Sequence, residues 1–317
     1  MNEIGRCTID RHRRDNIRVS HIRPGPRVIA GYVPLLLSQS EHDDRPRPSW
    51  LPQTIMTTDT RKDTPRRIAV LISGTGMVVS PPPSNPSSDP RFTPPRSWTG
   101  TNLQALIDAC NTPRLPHAHI VLVFSNRKAA YGLTRASTAT PPIPTAYLGL
   151  LPFLRANPGA TRIDYDIAVA TEVRKARPDV VVLAGWMHIV NEAFLEVLGG
   201  VRAVPSLPGD GNGAGEDATR DIPIINIHPA LPGQFDGAKA MERGFEAFQR
   251  GEVDKLGVMV HRVIAEVDRG APIIVKEVEV HKGEDLKDYE QRMHRTEWEI
   301  IVDATKLVLD EVRPIRD

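Results

Sequence analysis

The sequence predicts an α/β protein, a mostly parallel, twisted sheet with helices on both faces and a C-terminal hairpin. Three observations predict it. Short apolar runs alternate with amphipathic stretches from Arg67 onward, Gly, Pro and Asp punctuate the joins, and two late apolar runs flank a polar turn. Such alternation implies strands joined by crossover helices, with ligands expected beyond the carboxyl ends of the strands.

The first strand covers residues 68–72, followed by a Gly-rich turn and a helix over 102–109. A second strand, 120–124, leads to a helix over 131–136 and a Pro-rich connection. A helix around 165–176 stops before Pro178, because proline disfavours helical backbone in the residue preceding it; Asp179 then opens the strand 180–183. Helix 192–198 and strand 224–227 follow. After a long loop, runs 258–264 and 272–280 flank Glu266-Val267-Asp268-Arg269-Gly270 as a hairpin, and a helix near 286–309 closes the series.

Composition narrows the function classes. At 317 residues and 40% hydrophobic content the chain can bury a substantial core. Lys plus Arg number 40 against 39 Asp plus Glu, so no bulk charge drives binding to nucleic acid or a membrane surface, and any anion site must be local. Cys7 and Cys110 form neither a disulfide framework nor a zinc spacing, which suits a reducing compartment. The longest apolar runs fall far short of a membrane span, and a cytoplasmic protein is expected.

Residues 1–66 carry many Arg, Pro and Asp without periodicity, so the domain is expected over 67–317. Met56 opens a short polar lead into the first strand, and residues 1–55 read as an over-extended start. An Arg-rich transit peptide is the rival reading, weakened by Glu3, Asp10 and Asp15. Residues 77–100, dominated by Pro and Ser, interrupt a tight strand-to-helix turn and read as a retained intron or an inserted disordered segment. Without them Ser73-Gly74-Thr75-Gly76 joins Thr101-Asn102-Leu103-Gln104, a compact Gly-rich loop opening a helix. Residues 206–221, rich in Gly and Asp, read as a second insertion, a flexible surface loop.

The Gly-rich loop of Ser73 to Gly76 joined to Thr101 and Asn102 is a candidate phosphate site, since free N–H groups and the helix dipole at a helix N-terminus favour an anion; a plain tight turn is the bland alternative. The sharper feature is Ile224-Ile225-Asn226-Ile227-His228-Pro229, in which a strand ends in two polar side chains two residues apart. Strand periodicity turns Asn226 and His228 to one face, offering an amide donor and a group that titrates near neutrality. Together they could hold a developing oxyanion, and without further partners a hydrogen-bonded pair closing a strand is the better reading. Asp268, in the polar turn, supplies such a partner: its carboxylate would favour imidazolium at His228 and fix the ring. His261 is expected to pack or hydrogen-bond within the sheet.

Taken in order, Ile68 to Gly76 joined to Thr101 to Ile107, Ser125-Asn126-Arg127, Pro178 to Met187, Ile225 to Gly233, Val260-His261, Glu266 to Gly270 and Arg295-Thr296-Glu297-Trp298 resemble the phosphoribosylglycinamide formyltransferases. The resemblance covers nearly everything from Arg67 onward, and Phe235-Asp236-Gly237 is similar to the fungal branch. It implies the Rossmann-like formyltransferase fold and transfer of a formyl group from 10-formyltetrahydrofolate to the amine of glycinamide ribonucleotide, in purine synthesis. By the same resemblance Asn226, His228 and Asp268 are catalytic. Gly74, Thr75, Gly76, Thr101 and Asn102 bind the substrate phosphate, and Glu297 contacts the ribonucleotide. Trp186, Met187, His188, Ile189 and Val190 line the folate pocket, with Arg162 contacting the folate; His188 stands where bacterial members carry Arg. No metal is implied, and the partners are small molecules, with association with purine-pathway enzymes left open. A formyl-folate hydrolase with a similar Asn-His-Asp set is the nearest rival, and a non-catalytic relative disabled by residues 77–100 is another. The chain reads as monofunctional.

Overall fold

The computed structural model describes residues 65–74, 101–203 and 219–315. The chain divides into Met1–Thr58 and Asp59–Asp317, and everything described belongs to the second unit. Residues 1–64 of the expected extension, residues 77–100, Thr75, Gly76 and most of 206–221 lie outside the described residues; Arg66, expected in the extension, instead opens the first strand.

Seven strands form one sheet in the order β3-β2-β1-β4-β5-β6-β7. They are β1 (Arg66–Ile72), β2 (Ala118–Ser125), β3 (Thr145–Tyr147), β4 (Val180–Leu183), β5 (Ile224–His228), β6 (Leu256–Arg262) and β7 (Pro272–Val278). The first five run parallel, while β5–β6 and β6–β7 pair antiparallel, which is the mostly parallel sheet with a terminal hairpin that the sequence predicts. Helices α1 (Thr101–Ala109), α2 (Tyr131–Ser137), α3 (Leu150–Ala156), α4 (Arg162–Lys175), α5 (Glu192–Leu198), α6 (Ala240–Arg250) and α7 (Leu286–Val312) complete the described elements.

Strand periodicity builds two buried layers. Ile68, Val70, Ile72, Val180, Val182, Ile225 and Ile227 face one side, against α1, α6 and α7. Ala69, Leu71, Val181, Leu183 and Ile224 face the other, against Tyr165, Val169 and Val173 of α4 and Phe194 and Val197 of α5. Each fully buried aliphatic side chain contributes about 1.5–3 kcal/mol over leaving it in water, so two-sided burial explains why these strands read as unbroken apolar runs. A capping box opens α4: Thr161 Oγ1 accepts the Asp164 N–H, and Asp164 accepts the Thr161 N–H at 2.7 Å.

Two sequence expectations are corrected here. The Pro-rich connection after α2 contains β3 and α3, elements too short to show a period; Pro152 sits in the first turn of α3, where its missing N–H costs nothing. The long loop after β5 contains α6, whose Met241, Phe245 and Phe248 recur at helical spacing and pack on the core. That helix starts from Lys239 in the left-handed region (φ 55) without a side-chain cap, so the usual start signal is missing.

Candidate active site

The site lies at the carboxyl ends of β1, β4 and β5. Because the strand order reverses between β1 and β4, the outgoing connections diverge there and leave a crevice, a cavity of about 490 Å³.

Asn226 and His228 share the sheet face of Ile224, and cross-strand pairing puts His261 of β6 directly opposite Asn226. Strand β6 ends opposite Ile225, at Arg262, and residues 263–271 double back along this face to carry Asp268 to the pair. Asn226 Nδ2 donates to Asp268 Oδ1 at 3.2 Å and lies 3.2 Å from His261 Nε2. His228 Nδ1 is 3.4 Å from Asp268 Oδ2, and the Gly237 N–H donates to that same oxygen at 2.8 Å. The three side chains singled out from sequence therefore meet, and two groups not singled out, the Gly237 amide and the inward His261, complete the set. His261 Nδ1 bonds the Arg262 carbonyl at 2.8 Å, and its Nε2 faces the site, 3.5 Å from Asp268 Oδ1. Asp268 holds a left-handed backbone (φ 56), an uncommon conformation for a non-glycine residue, stabilised by the carboxylate's hydrogen bonds.

Electrostatics modify one expectation. Burial pulls the His228 pKa down, and although Asp268 and the Gln234 backbone push it up, burial wins and the value lies below the usual 6.5. The unliganded ring is thus neutral at neutral pH instead of the imidazolium that Asp268 alone would favour. For Asp268, burial opposes ionisation, but the His261 hydrogen bond, the Gly237 N–H and the two nearby imidazoles outweigh it and hold the carboxyl below the usual range. His228 Nε2 is buried with no hydrogen-bond partner among the described residues.

One end of the cavity is formed by Gly74 of the β1 turn, by Thr101 and Asn102 at the start of α1, and by Glu297 of α7. Glu297 is only 5% exposed and accepts from His294 Nδ1 at 2.9 Å. Burial lowers the His294 pKa, but the hydrogen bond and charge of Glu297, with Glu290, raise it above the usual value. His294 was not singled out from sequence; its i, i+3 spacing from Glu297 on one helix face was the available signal.

The segment after β4 also lines the cavity, through Trp186, Met187, His188, Ile189 and Val190. Arg162 does not line it: exposed at the start of α4, it donates from Nη2 to the Ile189 carbonyl at 2.5 Å and so braces the wall from outside. Ser73, beside Gly74, ties the β1 turn to this segment, its N–H bonding the Gly185 carbonyl at 3.0 Å and its Oγ accepting the Met187 N–H at 2.8 Å.

Fold and crevice define a class, the formyl transferases: a family model of that description matches residues 96–215 and 218–305. Phosphoribosylglycinamide formyltransferase of Schizosaccharomyces pombe is 41% identical over 217 residues, covering 68% of this chain and 95% of that protein. The Dictyostelium discoideum enzyme of the same name is 38% identical over 214 residues, covering 67% and 94%. A solved structure of glycinamide ribonucleotide transformylase 1 from Symbiobacterium toebii superposes with a TM-score of 0.55 at 29% identity, covering 78% of this chain and 89% of that one. The chain belongs to the phosphoribosylglycinamide formyltransferase family, enzymes of purine biosynthesis.

Proposed function

We propose that the protein transfers the formyl group of 10-formyltetrahydrofolate to the amine of glycinamide ribonucleotide, with the Asn226–His228–Asp268 set as its catalytic centre. The observation that carries this reading is the convergence of the Asn226 amide, the His228 imidazole and the Asp268 carboxylate within 3.2 to 3.4 Å at one rim of the crevice.

The amine nitrogen attacks the formyl carbon directly, and the carbonyl π pair moves onto oxygen. One N–H of Asn226 exchanges its neighbour in the set for this oxyanion, a donor already oriented and partly withdrawn from water. Asp268 and the new negative charge both raise the proton affinity of His228. The ring takes the proton that the attacking nitrogen must lose, and a proton passes on to the folate nitrogen as the carbon–nitrogen bond to it breaks. No acyl-enzyme is required.

The ribonucleotide occupies the end formed by Gly74, Thr101, Asn102 and Glu297. By the resemblance Thr75 and Gly76, which lie outside the described residues, also bind the phosphate, and Glu297 accepts hydrogen bonds from substrate hydroxyl or amine groups. The folate lies along residues 186–190. The catalytic unit is the domain that begins with β1 at Arg66, one residue before the start expected from sequence, working in the cytoplasm on small molecules.

The test is formyl transfer by the purified protein, following release of the deformylated folate with and without glycinamide ribonucleotide. Turnover that requires the ribonucleotide is expected. Release of formate at the same rate without it would favour the hydrolase reading, and no turnover would favour the non-catalytic one. Comparing the whole chain with a chain starting at Met56 and one lacking 77–100 tests the domain assignment.

A further inference from the structure

We propose that Asp166 and His188 form a clamp that positions the segment 186–190 for the folate cosubstrate, with Met187 and Ile189 making the contact and the His188 ring, its Nε2 committed to Asp166, holding the segment in place. The proposal rests on the formyl-folate reading above and deepens it.

Side chains alternate along this segment. Trp186 is buried, Met187 is 66% exposed, the His188 side chain is 10% exposed and Ile189 is 56% exposed. Large apolar side chains left this bare at a cavity wall are unfavourable in the free protein, and an apolar ring laid across both would relieve that exposure.

The inward side is held by one carboxylate. Asp166 Oδ1 lies 2.5 Å from His188 Nε2, and Oδ2 accepts the Asn191 N–H at 2.9 Å. Asp166 is 1% exposed and projects from α4, whose first turn is capped. A fully buried carboxylate is costly unless its lone pairs are met, so the packing selects the loop conformation that supplies both donors. The edge-on rings of Tyr165 and Trp186, with centroids 5.3 and 6.0 Å from that of His188, confine the imidazole. Ile189, between the two clamped positions, also has its carbonyl held by Arg162, and the Met187 N–H is held by Ser73.

A stretch without helix or strand is thereby tied at four points, with two unclamped side chains facing the ligand. Ordering such a loop on binding would subtract from affinity, and here the fold does the ordering beforehand. His188 Nε2 is committed to Asp166, so the residue acts on the folate through the segment and is a positioning residue.

The test is calorimetric titration of full-length protein with a non-transferable 10-formyl folate analogue and, separately, with glycinamide ribonucleotide. Wild type, His188→Ala, His188→Gln and Asp166→Asn are compared. His188→Ala is expected to weaken the folate analogue about tenfold or more while ribonucleotide affinity stays within about twofold. Asp166→Asn changes folate affinity in the same direction. His188→Gln, whose amide presents an N–H toward Asp166, regains most of the loss. If the Gln variant is as weak as the Ala variant, His188 touches the folate itself and the clamp is wrong. Equal losses for both ligands mean general destabilisation and also overturn it. Wild-type protein that binds no folate analogue defeats the formyl-folate reading together with the clamp, whereas tight binding by every variant defeats the clamp alone.

Discussion

Replacing Asp268 by Asn preserves shape and removes a charge that four groups address. In the native set the carboxylate accepts from Gly237 at 2.8 Å and Asn226 at 3.2 Å and faces two imidazoles at 3.4 and 3.5 Å. An amide keeps one acceptor oxygen, so one of these donors loses its partner and another faces an NH2. A hydrogen bond to a charged group is worth about 1.5–3 kcal/mol. Losing about 2–3 kcal/mol from the transition state slows turnover roughly thirty- to hundred-and-fifty-fold, at about 1.4 kcal/mol per tenfold. A second effect has a definite sign. Asp268 pushes the His228 pKa up against burial, so its loss lets that pKa, already below 6.5, fall further. Neutral His228 is the proton acceptor in the mechanism, and activity declines as acid protonates it. The acid limb of the variant's kcat profile therefore moves to lower pH, although the plateau is lower. Initial rates of deformylated folate release, measured across pH at saturating substrates, read both quantities. A variant with wild-type kcat, or one whose acid limb moves upward, would refute the roles given to Asp268 and His228.

His294 has a folded pKa above its ordinary 6.5, so its pairing contributes stability that is fully present below about 6.5 and is lost as pH rises through the folded value. Thermal unfolding should show Tm falling over that interval in wild type and a flatter profile in His294→Gln. A Cβ at Gly270 would lie 1.7 Å from the Arg262 carbonyl oxygen, which also accepts from His261, so Gly270→Ala should cost about 1–3 kcal/mol by denaturant titration and reduce kcat together with stability. Thr161→Ala breaks the capping box of α4 and should cost about 1 kcal/mol in the same assay.

The parallel half of the sheet was legible because its strands are buried on both sides and read as apolar runs with clear ends, as 180–183 does to the residue. The pair Asn226 and His228 was legible for a related reason, since period two leaves little freedom at a strand end. What brings Asp268 to them was not. The approach depends on where β6 stops and how the following chain folds back, and neither leaves a periodic trace. Helix α6 carried its signal in Met241, Phe245 and Phe248, masked by the glycines before it and by the absence of a capping side chain. The lowered His228 pKa was out of reach because it is a balance between burial and Asp268, and only packing fixes the first of these. Asp166 was hidden among ordinary helix residues; nothing local marks a carboxylate as turned inward.

The doubling back of residues 263–271 sets an unusual constraint on length. Surface connections commonly absorb insertions and deletions, since an added residue only lengthens an excursion into solvent. Here the excursion returns, and its tip must stop 3.4 Å from an imidazole. One residue of extended chain spans about 3.3 Å, comparable to that whole separation. Relatives that keep this chemistry should therefore vary the amino acids of this stretch far more freely than their number.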